Sequence, residues 1–525
     1  MKTKIINARI VDGSGGEAYA GELLLEDGVI IAAAPSAVGG AGANNIIDAG
    51  GMVVCPGFVD MHRHCDSAVF KPAFGELELA QGITSMVGGN CGLTLAPVRD
   101  VHRSTLYKLI GAVVGSINID TPESFGAYMA QLSKQPMPVN LGMFTGTCTT
   151  RVFVKGFGSA PFTDDEMEQT RKILAAALDD GALGLSMGIM YMPECYGTVD
   201  EFVPMVAPLR GTGKPLAIHI RGEGNSMVKS VTEVLEIGRR ADVPVHISHF
   251  KAAGTGNWRK AVPEAIALIE KARESHDVTA DFYPYPGSST SVISLMPPAF
   301  MGSDYPAAIG SLAAPEGVER FRAALAADYS GWDNYVKMLG WDRIYVSALK
   351  TRPDAAGKSF AELAGNEDPT EFAARLILAE EGQISVIVQS MCQDDIDTIA
   401  KLPWSSVISD SLYPDTKYPH PRLYGSFPRI IREFVCERRI LSLGEAVKKM
   451  TSMPAARMNL KNKGLLRPGY DADIIIFDPA SFRDNASFSD PAKPATGLRR
   501  AIIRGETVYE DGKLLLRDRG RMMKR

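Results

Sequence analysis

The sequence lacks the features that mark membrane-spanning, secreted or nucleic-acid-binding proteins. Its 525 residues contain no apolar run of about 18 residues, the length that an ordinary membrane-spanning helix needs. The first residues pass directly into a strand-like pattern without the apolar core of a signal peptide, so we expect a cytoplasmic protein with no membrane partner. The 56 basic and 61 acidic residues form no cationic block, so nucleic acid is not an expected partner.

Cysteine is also scarce. The seven cysteines are odd in number, scattered along the chain and never spaced as C-x-x-C, which argues against a disulfide framework in a chain of this size. A cysteine with a functional role is therefore expected to be a metal ligand.

The residues that are present are typical of a large globular protein. Hydrophobic residues make up 45% of the chain and charged residues 22%, and 51 glycines indicate many tight turns. A chain of 525 residues is too long for one ordinary domain, although an α/β barrel with insertions can absorb about 250 to 400 residues. We therefore expect a large barrel with a smaller module.

The two ends of the chain share a strand-rich pattern. Short strand-like runs alternate with turn sequences such as Asp27-Gly28 near one end and Asp511-Gly512 near the other, as in β-hairpins. We expect residues 1–54 and 463–525 to form one small β-module together.

Between these ends, at residues 55–462, short apolar runs alternate with amphipathic stretches, a pattern typical of βα units and a parallel sheet. A closed (β/α)8 barrel requires eight strands, and eight runs qualify. They are 52–59, 83–88, 139–145, 182–187, 216–220, 243–248, 278–283 and 405–409. The run 384–389 is a ninth candidate without an assigned place, and the stretch around 297–380 is expected to be an insertion or lid.

Polar residues at the ends of these runs form the candidate site, because chemistry in such barrels takes place at the carboxyl ends of the strands. The first run leads into His62-Arg63-His64, where period-two alternation places two imidazoles on one face. Taken alone, this pair fits a metal site and a hydrogen-bonded core pair about equally well.

Four further residues end other runs. Cys91 lies in a glycine-flanked loop after the second run, His219 and His249 close the fifth and sixth, and Asp410 closes the eighth. Considered alone, Cys91 could be a buried cysteine without a chemical role, and Asp410 could cap the N-terminus of a following helix. Alternation places His246 on the opposite face from His249, so we interpret His246 as a structural residue against the helix layer.

The location of all these residues on one rim favours a metal site over separate structural roles. Four of the eight histidines fall on the same rim, together with one cysteine and one aspartate. Imidazole, thiolate and carboxylate together suit Zn²⁺, which accepts all three ligand types. The sequence therefore predicts a zinc site built from six side chains.

Several motifs resemble those of one known family. They are Pro56-Gly57-Phe58-Val59-Asp60 before His62, Gly89-Asn90-Cys91-Gly92, His249-Phe250-Lys251, Tyr283-Pro284-Tyr285, His420-Pro421-Arg422, and Gly464 to Asp473. Over nearly the whole chain the sequence resembles the amidohydrolase superfamily and, within it, the N-acyl-D-amino-acid deacylases (D-aminoacylases).

The resemblance implies a (β/α)8 TIM barrel with a small β-sandwich domain built from both termini. It implies one tight Zn²⁺ held by Cys91, His219 and His249, with His62 and His64 forming a weaker or vacant second position. Cys91 stands in for the carboxylated lysine that bridges two metals in many amidohydrolases. Where the family commonly has His-Thr-His-Asp-Asp, this chain has Arg63 and Cys65 in the intervening positions, and these replacements bear on the second metal position.

The resemblance also implies a small-molecule substrate, an N-acyl-D-amino acid whose amide bond is hydrolysed. We expect Asp410 to act as general base and then general acid. The residues implied in substrate binding are Lys251, Tyr283 and Arg422 at the α-carboxylate, with Tyr191 and Ser289 nearby. The ordinary alternative is that Lys251 and Arg422 are solvated surface charges.

The stretch 274–319 contains no lysine or arginine, which favours a substrate with a neutral or apolar side chain. Two rival functions stay open: another amidohydrolase reaction, such as ring opening of a cyclic amide or deamination, and a metal-free scaffold protein. The oligomeric state is also open, a homo-oligomer included.

Overall fold

In the computed structural model, residues 2–35, 38–39, 42–117, 119–120, 122–302, 304–329 and 331–523 are described. Its strands are β1 (Lys2–Ile10), β2 (Tyr19–Glu26), β3 (Val29–Ala34), β4 (Asn45–Asp48), β5 (Val53–Pro56), β6 (Phe58–Asp60), β7 (Ile83–Gly88), β8 (Asn140–Met143), β9 (Thr145–Gly146), β10 (Leu185–Gly188), β11 (Leu216–His219), β12 (Val245–Ile247), β13 (Val278–Phe282), β14 (Ser288–Ser291), β15 (Ile344–Ala348), β16 (Ser385–Val388), β17 (Ser405–Val407), β18 (Ile474–Phe477), β19 (Leu498–Ile503), β20 (Glu506–Glu510) and β21 (Lys513–Leu514).

The α-helices connect these strands. They are α1 (Glu76–Ala80), α2 (Asp100–Val114), α3 (Phe125–Leu132), α4 (Thr147–Lys155), α5 (Asp164–Asp179), α6 (Val199–Met205), α7 (Met227–Ala241), α8 (Ala261–Arg273), α9 (Pro298–Met301), α10 (Tyr305–Ser311), α11 (Pro315–Ala326), α12 (Tyr335–Leu339), α13 (Phe360–Ala364), α14 (Pro369–Ala379), α15 (Gln393–Ala400), α16 (Arg422–Arg429), α17 (Leu443–Met450) and α18 (Ser452–Arg457). A π-helix, Ile430–Glu437, continues α16. Within the described residues, no helix combines the length and apolar character needed to cross a membrane.

Eight parallel strand positions form a closed barrel. Strands β6, β7 and β8 pair in that order, and β9, β10, β11, β12, β13 and β17 pair in a second series. Only Phe144 separates β8 from β9, so the two series continue into each other. The ring closes where the Asp410 N–H donates to the His62 carbonyl at 2.9 Å and the His64 N–H donates to the Ser411 carbonyl at 2.9 Å. The prediction of an α/β barrel is confirmed.

The first predicted strand is wrong in its extent. The run 52–59 is two strands: β5 pairs with β1 and β18, whereas β6 pairs with β7 in the barrel. The chain changes sheet at Gly57, where an added Cβ would lie 2.1 Å from the Thr84 hydroxyl. Continuous hydrophobicity could not reveal this change, because both halves of the run are buried.

Strands from both ends of the chain share one nine-stranded sheet, in the order β21-β20-β19-β18-β5-β1-β2-β3 with β4 beside β1. Apolar side chains of its strands, such as Ile5, Leu23 and Ile474, form a hydrophobic cluster separate from that of the barrel. The finer expectation of a β-sandwich stays a prediction.

The chain between β13 and β17 forms a second, smaller sheet, although these two strands pair directly with each other in the barrel. Strand β16 pairs antiparallel with both β14 and β15, so the predicted ninth strand lies outside the barrel. Helix α2 packs against this sheet, where the Ser385 hydroxyl donates to the Ala112 carbonyl at 3.1 Å. Strand β15 and helices α9 to α14 lie within the predicted insertion, 297–380, whereas β14 and β16 lie just outside it on either side.

Candidate metal centre

Six polar side chains predicted from the sequence meet at the carboxyl ends of the barrel strands. His62 and His64 follow β6, Cys91 follows β7, His219 ends β11, His249 follows β12, and Asp410 follows β17. All six are buried, and the most exposed, Asp410, has 6% of its surface accessible. Buried groups of this kind require partners, and here they are one another's neighbours.

The side chains form two groups that share Cys91. The ligand atoms of His62, His64 and Cys91 all lie within 4.8 Å of one another, as do those of Cys91, His219 and His249. The Cys91 Sγ is 3.4 Å from His62 Nε2 and 3.5 Å from His249 Nε2.

These separations fit zinc. A sulfur ligand at about 2.3 Å and a nitrogen ligand at about 2.0 Å on one tetrahedral Zn²⁺ stand about 3.5 Å apart. The Cys91 to His249 distance of 3.5 Å therefore matches two ligands of one ion. Thiolate with imidazole is also the donor set that zinc prefers.

Three of these residues have an unusual backbone conformation. Cys91, His249 and Asp410 all have positive φ angles, of 56°, 36° and 50°. Non-glycine residues seldom adopt this conformation, and it concentrates at functional sites. At His249 it breaks the alternation of β12.

The predicted location of His246 against the helix layer is therefore wrong. Its Nε2 lies 2.9 Å from Asp281 Oδ2, and the same oxygen lies 3.4 Å from His62 Nδ1, so His246 adjoins the metal-site residues. Parity along the strand assigned His246 and His249 to opposite faces, but β12 ends at Ile247 and the positive φ of His249 reorients its side chain.

Asp281, on β13, was missed by the sequence reading. It contacts His62 and His246, and its other carboxylate oxygen accepts a hydrogen bond from the His249 N–H. Burial acts to raise the pKa of this carboxyl, but His246 and His62 lower it below its usual range. Its place at the end of a barrel strand was a signal that could have found it.

The loop that carries Cys91 is held by Ser186 on β10. The Gly92 N–H donates to Ser186 Oγ at 3.0 Å, and the Ser186 hydroxyl donates to the Gly89 carbonyl at 2.5 Å. Gly188 lies alongside, and a Cβ there would lie 2.1 Å from the Cys91 carbonyl oxygen. Burial acts to raise the pKa of the Cys91 thiol, but the surrounding imidazoles lower it well below its usual range. The thiolate is the form that binds metals.

Asp410 bridges the histidines and an arginine. Its Oδ1 lies 3.4 Å from both His62 Nε2 and His64 Nε2, and its Oδ2 accepts a hydrogen bond from Arg422 Nη1 at 2.7 Å. Burial acts to raise the pKa of Asp410, but Arg422 and the three histidines His64, His62 and His249 lower it well below its usual range. The carboxylate is thus held in its ionised form.

Lys251 and Arg422 are buried, with 5% and 1% of their surfaces accessible, so the reading of both as solvated surface charges is wrong. Lys251 Nζ lies 2.5 Å from Glu223 Oε1 and 2.7 Å from His249 Nδ1. Glu223 was not predicted from the sequence, although it stands four residues after His219. Its Oε1 also lies 3.0 Å from His249 Nδ1, and its Oε2 accepts a hydrogen bond from the Tyr335 hydroxyl at 3.1 Å.

The other predicted substrate residues, Tyr283, Tyr191 and Ser289, line the same cavity. The Arg422 guanidinium lies 4.7 Å from the Tyr283 ring centroid. The Tyr191 hydroxyl lies 3.3 Å from His219 Nδ1, and Arg422 Nη2 is 3.4 Å from the Ser289 carbonyl. His420 fixes the start of α16, since its Nδ1 accepts the Arg422 N–H at 3.0 Å.

Arg63 does not enter the site. Its guanidinium donates to Asp60 at 3.2 Å and Glu78 at 2.9 Å, and its Nε donates to the Tyr413 hydroxyl at 2.9 Å. Cys65 is a fully buried thiol whose pKa is raised well above its usual range by burial. Neither replacement removes a candidate ligand.

Comparisons with known proteins identify the family of this chain. The model of the Amidohydrolase family matches residues 45–190 and 360–509. An N-acyl-D-aspartate deacylase of Alcaligenes xylosoxydans xylosoxydans is 33% identical over 96% of this chain and 91% of its own length. A D-aminoacylase of the same organism is 30% identical over 92% of this chain and 90% of its own. The crystal structure of N-acyl-D-glutamate deacylase from Bordetella bronchiseptica, complexed with zinc and a phosphonate mimic of the tetrahedral intermediate, superposes with a TM-score of 0.83 at 28% identity, covering 100% of this chain and 99% of the other.

Proposed function

Since the chain belongs to the amidohydrolase family, alongside the N-acyl-D-amino-acid deacylases, we propose that it hydrolyses the amide bond of N-acyl-D-amino acids, releasing a carboxylate and a free D-amino acid. The observation that carries the proposal is the placement of Asp410 between the cysteine–histidine cluster and the buried Arg422. Candidate metal ligands, the Asp410 carboxylate and Lys251 border one cavity, and Arg422 contacts Asp410 from outside its lining.

In this proposal Cys91, His219 and His249 hold one tight Zn²⁺, and His62 and His64 share Cys91 in a weaker second position. When bound, zinc supplies a Lewis acid that polarises an amide carbonyl and lowers the pKa of water to about 7. The buried, mutually close ligand atoms support this assignment.

Asp410 is the proposed proton carrier. Its carboxylate is ionised at neutral pH, because Arg422 and three histidines depress its pKa. It takes a proton from the attacking water and returns it to the leaving nitrogen, since an amine anion is too basic to depart unprotonated. The contact with Arg422 also fixes the orientation of the carboxylate.

Lys251, Tyr283 and Arg422 are proposed to bind the substrate α-carboxylate. Both cations lie near the Tyr283 ring, at 5.8 Å and 4.7 Å from its centroid. The buried Tyr283 hydroxyl has no hydrogen-bond partner among the described residues, so it is available as a donor to a carboxylate oxygen. Tyr191 and Ser289 complete the lining nearby.

One panel of substrates tests the proposal. Zinc-loaded protein is assayed with N-acetyl-D-amino acids, the corresponding L-forms and hydantoins, and free amino acid or ring-opened product is measured. We expect turnover of the D-forms above the others. Preferential opening of hydantoins would favour the cyclic-amide reaction, which needs no pair of cations for an α-carboxylate.

A separate experiment tests the alternative that the protein is a metal-free scaffold. Elemental analysis of the purified protein is expected to find about one zinc or more per chain. Protein that neither contains nor binds a transition metal would contradict the proposal.

A further inference from the structure

We infer that the side chain of the D-amino acid substrate is neutral and apolar, of the leucine or methionine class, and not a second carboxylate. The inference rests on the proposed deacylase activity and adds the substrate class. It is drawn from the lining of the cavity beside the metal centre, and it differs from what the name of the aspartate-specific relative would suggest.

An apolar wall closes the side of the cavity formed by the small inserted sheet. Val113 at the end of α2, Leu295 after β14 and Val388 at the end of β16 all line the cavity and are at most 4% exposed. Their elements pack around β14, the strand that carries Ser289. A substrate held by its α-carboxylate near Ser289 would thus have hydrocarbon within reach of its side chain.

The charged groups of the cavity offer no cation for a second carboxylate. Among the described lining residues, Lys251 is the one lysine or arginine, and its Nζ is 2.5 Å from Glu223. Arg422, behind Tyr283, is 2.7 Å from Asp410. The other charged side chains that line the cavity, Glu223 and Asp410, are carboxylates and offer no attraction to an additional anion.

Two neutral polar side chains of the wall, Ser288 and Thr290, have hydrogen-bond partners within the protein. The Ser288 hydroxyl lies 3.3 Å from the Ser390 hydroxyl, and Thr290 Oγ1 lies 3.3 Å from Ser294 Oγ. A carboxylate taken into this wall would lose its hydration without gaining a charged partner, whereas a hydrocarbon side chain would gain from leaving water.

The first experiment compares kcat/KM of the zinc-loaded protein for N-acetyl-D-leucine, N-acetyl-D-methionine, N-acetyl-D-aspartate and N-acetyl-D-glutamate. We expect the apolar pair to exceed the acidic pair by about 100-fold or more. Faster cleavage of the acidic pair would overturn this inference and leave the deacylase proposal intact. Cleavage of none of the four would overturn both.

A second experiment places a charge in the wall. Val113→Lys is compared with Val101→Lys, which adds the same residue to the same helix at a position that is 78% exposed. Val113→Lys is expected to lower kcat/KM for N-acetyl-D-leucine about 10-fold or more and to raise the ratio of acidic to apolar turnover, while Val101→Lys leaves both unchanged. An identical profile in the two variants would place the substrate side chain elsewhere and overturn the inference.

Because a buried lysine can unfold the protein, Leu295→Ala provides a second variant that adds no charge. It enlarges the apolar wall, so the ratio of N-acetyl-D-phenylalanine to N-acetyl-D-leucine turnover should rise by about threefold or more. A ratio equal to that of the wild type would exclude Leu295 from the side-chain pocket and contradict the inference.

Discussion

Replacing Glu223 tests whether the metal centre depends on a carboxylate outside its ligand set. Glu223 accepts contacts from Lys251 at 2.5 Å, His249 Nδ1 at 3.0 Å and the Tyr335 hydroxyl at 3.1 Å. It is 4% exposed, and its pKa is lowered by Lys251 and the histidines although burial acts to raise it. Through His249 it fixes which ring nitrogen is left for the metal.

These contacts predict the size of two effects, one on zinc affinity and one on folding free energy. Glu223→Gln keeps a hydrogen-bond acceptor but removes the charge, and loss of such a partner to a ligating histidine costs about 10- to 100-fold in metal affinity. Glu223→Ala also leaves the buried Lys251 without its carboxylate, which costs about 3–5 kcal/mol of folding free energy. We therefore expect Gln to weaken zinc binding and Ala to weaken both zinc binding and stability.

The assay is zinc competition against a chelator of known affinity, with thermal unfolding of the zinc-loaded and stripped protein. Glu236→Gln is the matched control, because Glu236 lies on α7 and pairs with the exposed Arg239 at 2.8 Å. If Glu223→Gln binds zinc as tightly as the control, Glu223 does not support the metal centre and the reasoning fails.

Four further outcomes are expected. Asp410→Asn should retain zinc but lose turnover about 100- to 10,000-fold in steady-state assays, whereas near-normal activity would reject its role as proton carrier. Arg422→Ala should raise KM for acyl-amino acids about 30-fold or more, because truncating a buried charged partner costs about 2–5 kcal/mol, and an unchanged KM would remove Arg422 from the substrate site. Ser186→Ala should release the Cys91 loop and weaken zinc binding measurably against the chelator, and equal affinity would show that the loop needs no such support. The pKa of Glu223 is lower in the folded protein than the ordinary carboxyl value of about 4.3, so its ionisation stabilises the fold above that pH. This stabilisation is lost as the pH falls below that value. The difference in unfolding free energy between the wild type and Glu223→Gln should therefore shrink in unfolding titrations carried down to pH 3.

The barrel was predictable because its signal is local and repeated. Each strand is a short apolar run, and the residue that ends it lies at a known rim, so His219 and Asp410 could be assigned without coordinates. Where a local pattern has two structural meanings, prediction failed: 52–59 is uniformly apolar, yet it contributes to two sheets.

The site residues that the sequence did not predict contact the candidate metal ligands but are not ligands themselves. Glu223 and Asp281 act through contacts with residues 28 and 219 positions away in the sequence, and only the folded barrel brings these groups together. The misassigned His246 has a different cause, since one positive φ at His249 invalidates the parity argument for the whole strand end.

The contacts behind the histidines distinguish the two halves of the metal centre. His249 Nδ1 lies 3.0 Å from Glu223, and His219 Nδ1 lies 3.3 Å from the Tyr191 hydroxyl. In the other pair, His62 Nδ1 lies 3.4 Å from a carboxylate that also serves His246, and among the described residues the buried His64 Nδ1 has no partner. Because such partners orient a ligating imidazole and raise its basicity, the half with Cys91, His219 and His249 should bind zinc first, and the His62 and His64 half more weakly.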